Sequence, residues 1–395
     1  MDPVAVSTDI EGTKRSSWRA FNEKRTLIEG LPFRASIELT RNCNFRCVMC
    51  PQSWMPEYAV YRPELNMSPE LFGRVASELF PHLEYAHLQG FGESVISPHF
   101  PRILDLCEPY ADGPLRFGLV TNLGRRDDEL WLRMARMGFQ IRFSCDGATR
   151  EVFEAVRRRS SFELILHNLG LLGKTGSLSF NVTLQKANWR QMTLFVELAA
   201  RHGVKEVLFS SVQRNLPRTV PEMLGTLKKL ARMGPAHALA HLRRGLFRRE
   251  EDPSLHGLHR RPLGELAAAA LETGRRLGVR VLFNDIILER LAGARRKAGP
   301  SREAYLEGIE RSVRVAENRR CFKPYSYAVV NYIGQIGLCN HLITDDAFEP
   351  LGSLRDSSLR EIWDSPAYRR LRTLLAAGAP AAKGCRWCFA HRVAE

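Results

Sequence analysis

The chain has 395 residues, 44% of them hydrophobic, with 58 Lys and Arg against 43 Asp and Glu and a net charge of +15. That length and composition suit one large barrel with an appendage, or two ordinary domains, around a sizeable core. No apolar run approaches the roughly 18 residues of a membrane span, Met1 to Gly30 lacks the apolar segment of a secretory signal, and the Arg excess is scattered in short groups such as Arg157-Arg158-Arg159 and Arg243-Arg244, so a cytoplasmic chain is expected, with neither membrane nor nucleic acid as partner.

Residues 1–34 read as an irregular or partly helical lead-in. Ala35 to Thr40 reads as a first strand, and directly behind it come Cys43, Cys47 and Cys50, followed by Pro51. Iron–sulfur clusters are normally held by four cysteines. Three thiolates can hold a [4Fe–4S] cube and leave one iron open to a small molecule. The plainer readings are a zinc site or unrelated core thiols. Zinc sites usually show paired C-x-x-C or Cys/His knuckles, and no such partner lies close by.

Further along, Ser68-Pro69-Glu70 is a helix start, with Ser as N-cap and Pro in the first turn. The strand at 84–90 ends in Gly90-Phe91-Gly92-Glu93. The glycines let a backbone approach closely, and the Glu93 carboxylate can accept charge-assisted hydrogen bonds from an ammonium. A helix at 98–108 leads to a strand at 115–121, which ends in Thr121-Asn122-Leu123-Gly124. A helix at 127–137 precedes the strand 139–144 and the turn Ser144-Cys145-Asp146-Gly147. One long helix is expected over 149–173, then a strand at 177–184 followed by Gln185, a helix at 188–202 and a strand at 205–212. Six strands alternating with helices predict an α/β fold with a parallel sheet, a barrel or a doubly wound sheet, with its chemistry at the C-terminal ends of the strands.

Residues 214–317 differ: Arg/Leu/Ala-rich helical stretches at about 221–247 and 262–276 precede a strand-like Val279 to Phe283. This region reads as an insertion or bridge, with structural packing as its default role. From 318 onward, Tyr327 to Tyr332 and Gln335 to Cys339 form a hairpin signal around Ile333-Gly334, and an amphipathic helix follows at 358–376. Nine cysteines, an odd number in a chain without a signal, argue against a disulfide framework. Cys107 and Cys145 lie in apolar stretches and read as buried thiols. Cys321, Cys339, Cys385 and Cys388 form a second group of four. Four thiolates saturate either a zinc ion or a [4Fe–4S] cluster.

The cysteine triplet behind the first strand, the Gly-x-Gly-Glu turn behind the second and the Ser-x-Asp-Gly turn behind the fourth together resemble the radical SAM superfamily. The late cysteines around a hairpin and helix resemble its SPASM/twitch subgroup, in the layout of aminocyclitol-oxidising members. The resemblance implies a partial (β/α)6 barrel over 35–213 and a twitch domain over 318–395. It implies two [4Fe–4S] clusters, one on Cys43, Cys47 and Cys50 that binds S-adenosylmethionine, and an auxiliary one on Cys321, Cys339, Cys385 and Cys388. Gly90, Gly92 and Glu93 would take the methionine amine. Asn122, Ser144, Asp146 and Gln185 would supply further polar contacts, and Met49 would replace an aromatic residue that packs near adenine.

The implied reaction cleaves S-adenosylmethionine to a 5′-deoxyadenosyl radical, which abstracts hydrogen from a substrate. The expected substrate is small and carbohydrate-like, an amino sugar or aminocyclitol, oxidised from alcohol to ketone in antibiotic or other natural-product biosynthesis. The auxiliary cluster would take the electron, and a flavodoxin or ferredoxin would supply the reducing one. The alternatives are a peptide maturase and a radical sugar epimerase, the latter with Cys145 as hydrogen donor. A leader-binding winged-helix domain is not expected ahead of Cys43. The catalytic base is open among His341, Arg157, Tyr325 and Glu289.

Overall fold

The computed structural model describes residues 9–53, 60–212, 260–284, 287, 321–339 and 350–379. His341, Glu289, Cys385 and Cys388 lie outside the described residues, as do the expected helix at 221–247 and most of 214–317. In chain order the strands are β1 (Arg34–Ile37), β2 (Arg46–Cys47), β3 (Tyr85–His87), β4 (Arg116–Thr121), β5 (Gln140–Ser144) and β6 (Arg157–Arg158), then β7 (Leu178–Leu184), β8 (Glu206–Ser211), β9 (Arg280–Phe283), β10 (Tyr327–Val330), β11 (Gln335–Gly337) and β12 (Gly352–Ser353). Helices intervene between most of the longer strands, and the longer strands pair mainly in parallel. The expected α/β class is the one observed.

The chain divides into two compact units. The first comprises Met1–Asn44, Arg62–Arg142 and Glu303–Glu395. Its strands run in the order β12-β11-β10-β1-β3-β4. Strands β10, β1, β3 and β4 are parallel neighbours, and β11 and β12 extend the edge antiparallel. The hairpin read from the sequence forms, with Gly334 at its turn in the left-handed region at φ 84°, where glycine carries no Cβ penalty. It is not a freestanding ribbon: Tyr327 to Val330 register against Arg34 to Ile37. The register also sets Ser36 beside His87, and His87 beside Gly118.

The helix starting at Ser68 forms as read, Pro69–Leu79, with the Ser68 hydroxyl accepting from the Leu71 amide. The expected single helix at 358–376 is two, Leu359–Trp363 and Pro366–Ala376. Proline lacks the amide that a continuing helix needs, and Ser365 caps the second helix instead.

The second unit comprises Phe45–Tyr61 and Phe143–Arg302. Strand β7 alternates strictly: Leu178, Phe180, Val182 and Leu184 are buried, with half-buried residues between them. It pairs in parallel with β8, and β8 with β9. Residues 260–284 therefore contribute a helix (Arg260–Leu277) and a strand, of which the strand is part of this sheet. The long helix expected over 149–173 is interrupted. It breaks into Arg150–Val156 and Phe162–Leu172, because Arg157–Arg158 leave to pair antiparallel with Arg46–Cys47, and Arg159 sits in the left-handed region at φ 68°.

On the first unit's sheet, burial and the nearby Arg142 and Arg34 push His87 down from its ordinary 6.5 to about 3, and its Nδ1 has no hydrogen-bond partner among the described residues. A histidine held neutral this way binds fewer protons folded than unfolded between those two values. Its stability contribution is therefore complete above about pH 6.5 and is lost as pH falls toward 3, by at most about 1.4 kcal/mol per unit. Urea unfolding at pH 7 and pH 5 is expected to show a stability drop that the His87→Gln variant reduces; equal drops in both would remove His87 as the cause.

Candidate functional site

In the first unit, the segment behind β1 and the segment behind β3 are locked together by their backbones. Gly92 N donates to Thr40 O at 3.2 Å and Glu93 N to Asn42 O at 2.8 Å. A Cβ on Gly92 would run into the Thr40 and Asn42 carbonyl oxygens, and one on Gly90 into the Glu38 side chain. The close approach that these glycines permit is to the cysteine-bearing segment and to Glu38.

Glu38 is fully buried. Its carboxylate accepts from the Phe91 amide at 2.9 Å, the Tyr332 amide at 3.3 Å and Arg41 Nε at 3.2 Å. Burial pushes its carboxyl up from the ordinary range, and Arg41 opposes the shift. Sequence reading passed over Glu38 as part of a strand; a lone acid in an apolar run was the available signal, because such residues are seldom buried without partners.

Glu93 is buried and accepts from the Thr121 hydroxyl and the Asn122 amide, both at 2.7 Å. These two donors fix the orientation of the carboxylate. Asn122 in turn directs its Nδ2 to Cys43 Sγ at 3.9 Å and to Asn44 Oδ1 at 2.9 Å. Leu123, between Asn122 and Gly124, adopts a left-handed φ of 53°.

The second unit holds Cys47, Met49, Cys50, Ser144, Asp146, Arg157 and Gln185. The β2–β6 ladder sets Cys47 opposite Arg157. Arg157 places Nη1 3.8 Å from Cys47 Sγ and Nη2 2.6 Å from Asp146 Oδ2. Asp146 is fully buried and also accepts the Thr183 amide at 2.7 Å. Both expected roles are thereby narrowed: Asp146 holds a guanidinium, and Arg157 is a buried cation, not a base. Ser144 ends β5, half-buried.

Gln185 is fully buried, with Nε2 4.0 Å from Met49 Sδ and 3.5 Å from Thr183 O. Its Oε1 has no hydrogen-bond partner among the described residues, which suits an acceptor for a ligand's donor group.

Desolvation pushes the Cys47 thiol up to about 11, with Arg157 opposing, and raises Cys50 as well. Among the described residues no three Cys, His, Asp or Glu side chains crowd closely enough to grip one metal ion. A cluster, with iron and sulfide between its thiolates, needs them farther apart. Donors already facing Cys43 and Cys47 suit thiolates, whose sulfurs accept such bonds. The residues present fit the group.

Cys321 and Cys339 share an apolar cluster with Leu338, Leu371, Leu375 and Leu351. Lys323, missed in the sequence, reaches Cys339 Sγ at 3.3 Å. Cys107 and Cys145 are fully buried, as expected. Tyr325 corrects an expectation: it is fully buried, its hydroxyl donates to Arg25 O at 2.9 Å, and its ring stacks on Phe322, so it is a core residue with no free group for catalysis.

Two substitutions test this arrangement. Gly92→Ala forces two backbone carbonyls away and is expected to cost about 1–3 kcal/mol, with fewer irons bound per chain on anaerobic reconstitution; wild-type melting and iron content would disprove the lock. Asp146→Ala leaves Arg157 buried without its carboxylate and is expected to cost about 3–5 kcal/mol in chemical denaturation.

Residues 37–199 match the family model of the radical SAM superfamily, and residues 321–389 match that of the SPASM iron–sulfur cluster-binding domain. The chain is 30% identical over 182 residues to mycofactocin maturase MftC of Mycobacterium tuberculosis, a match covering 44% of this chain and 43% of that protein. It is 23% identical over 219 residues to the tungsten-containing aldehyde ferredoxin oxidoreductase cofactor-modifying protein of Pyrococcus furiosus, covering 52% and 59%. The chain thus spans only about half the length of these curated relatives. Among solved structures, Streptococcus suis SuiB bound to precursor peptide SuiA superposes with a TM-score of 0.59 at 11% identity, over 91% of this chain and 70% of that one. No described helix is long and apolar enough to cross a membrane. A radical SAM domain implies S-adenosylmethionine on a [4Fe–4S] cluster, and a SPASM domain implies auxiliary iron–sulfur ligation. The chain carries a radical SAM domain followed by a SPASM cluster-binding domain.

Proposed function

We propose that this chain is a radical SAM maturase acting on a peptide. The similarity to a maturase over 182 residues carries the reading, and the fold shared with a precursor-peptide complex agrees with it. These relatives favour the peptide alternative over oxidation of a carbohydrate-like alcohol, the reading drawn first from the sequence. When bound, S-adenosylmethionine on its cluster supplies a 5′-deoxyadenosyl radical that removes hydrogen from the substrate.

The chain's own residues take these parts. Cys43, Cys47 and Cys50 hold the first cluster, with Asn122 and Arg157 donating toward two of the three sulfurs. Glu93, oriented by the Thr121 hydroxyl and the Asn122 amide, accepts the methionine ammonium. Gln185 Oε1, with Met49 beside it, accepts from a donor of the nucleoside end. Cys321 and Cys339, with Cys385 and Cys388, hold the auxiliary cluster. A flavodoxin or ferredoxin is the reductant class.

The test is anaerobic turnover of the reconstituted chain with a synthetic peptide library and, separately, with a panel of amino sugars. A peptide whose mass changes in step with 5′-deoxyadenosine release is the expected outcome. Stoichiometric oxidation of an amino sugar, with every peptide inert, would return the reaction to alcohol oxidation.

A further inference from the structure

We propose that Lys323 sets the reduction potential of the auxiliary cluster, acting as a fixed positive charge on the Cys339 sulfur. Lys323 begins the short helix Lys323–Ser326, two residues after Cys321. That helix feeds directly into β10, which is held by β1 on one side and β11 on the other. The lysine stem is therefore anchored on sheet-bound backbone.

Its Nζ lies 3.3 Å from Cys339 Sγ and 5.1 Å from the centre of the Tyr327 ring. The ring face contributes a further attraction for a cation. Cys339 itself shares an apolar cluster with the buried Leu338, Leu371 and Leu375, and Leu351 packs against it. A charge in such surroundings is poorly screened.

The chemistry follows from the sign of the charge. Reduction adds one electron to a cluster whose four thiolates already make it anionic. A neighbouring cation stabilises the more negative, reduced form, and a hydrogen bond to a ligand sulfur acts in the same direction. Lys323 does both at Cys339. It touches neither substrate nor reacting atoms and is a positioning residue. Its effect is to make the auxiliary cluster a better acceptor for an electron leaving an oxidised substrate. This assignment does not depend on whether that substrate is a peptide.

The test uses the full chain with Cys43, Cys47 and Cys50 changed to Ala, so that only the auxiliary site takes up cluster. Reduction is followed by EPR against solution potential. Lys323→Met is expected to lower the ratio of reduced to oxidised cluster about tenfold at a fixed potential, equivalent to about 59 mV for one electron. Lys323→Arg, which keeps the charge, is expected to titrate close to the parent. Lys323→Gln keeps a donor without the charge and is expected to follow Met; it gives the answer if the Met variant fails to take up iron. Met or Gln variants that titrate with the parent overturn the proposal. So does an Arg variant that shifts as far as Met, and so does a parent chain that takes up zinc in place of iron.

Discussion

One buried carboxylate organises the first unit. Glu38 follows β1, out of contact with water, and three segments distant in sequence meet on it: Arg41 ahead of the cysteine triplet, the Phe91 amide in the glycine turn and the Tyr332 amide in the C-terminal hairpin. Arg41 also lies over the Tyr332 ring at 5.1 Å. A carboxylate out of water is costly unless its oxygens are occupied. Here they are occupied by backbone amides, which can be in place only if β1, the turn behind β3 and the hairpin have reached their native register. The requirement for glycine at position 90 is the same constraint seen from the other side, since any Cβ there would occupy the space of the Glu38 side chain.

Two further cations stand at cysteine sulfurs, and they are built differently. Arg157 is fully committed: one nitrogen faces Cys47, another pairs with the buried Asp146, and its backbone lies in the β2–β6 ladder. Its planar fork suits that double engagement. Lys323 presents a compact charge at the end of a flexible stem, held over an aromatic face beside Cys339.

Much of this was legible in the sequence, for local reasons. Strand β7 declares itself through period-two alternation from Leu178 to Leu184, and the helix start at Ser68 through a capping side chain and a proline. The cysteine triplet and the Gly-x-Gly-Glu turn are short patterns whose chemistry depends only on spacing. What escaped was decided by partners far along the chain. The helical pattern over 149–173 carries no breaker strong enough to announce a gap; Arg157 and Arg158 leave the helix because Arg46 and Cys47 offer a ladder. Likewise β10 pairs with β1 across almost three hundred residues of sequence, which no local periodicity reports. Tyr325 looked like a polar candidate near a cysteine, and only the Arg25 carbonyl and the Phe322 ring reveal it as core.

The same desolvation that raises Cys47 and Cys50 bears on how a cluster could be assembled here. A buried thiol favours its proton, and a ligand to iron must give that proton up. Arg157 opposes the penalty at Cys47, and its attraction to the sulfur grows once the sulfur becomes anionic. It is thus worth little to the protonated chain and more to the thiolate form. The Asp146 contact keeps that guanidinium in place before any thiolate exists, so the donor need not be ordered when the proton leaves. On the proposed reading of Cys47 as a cluster ligand, the electrostatic cost of thiolate formation falls on the folding of the β2–β6 ladder, and cluster loading there would be coupled to the same strand pairing that interrupts the helix at Val156.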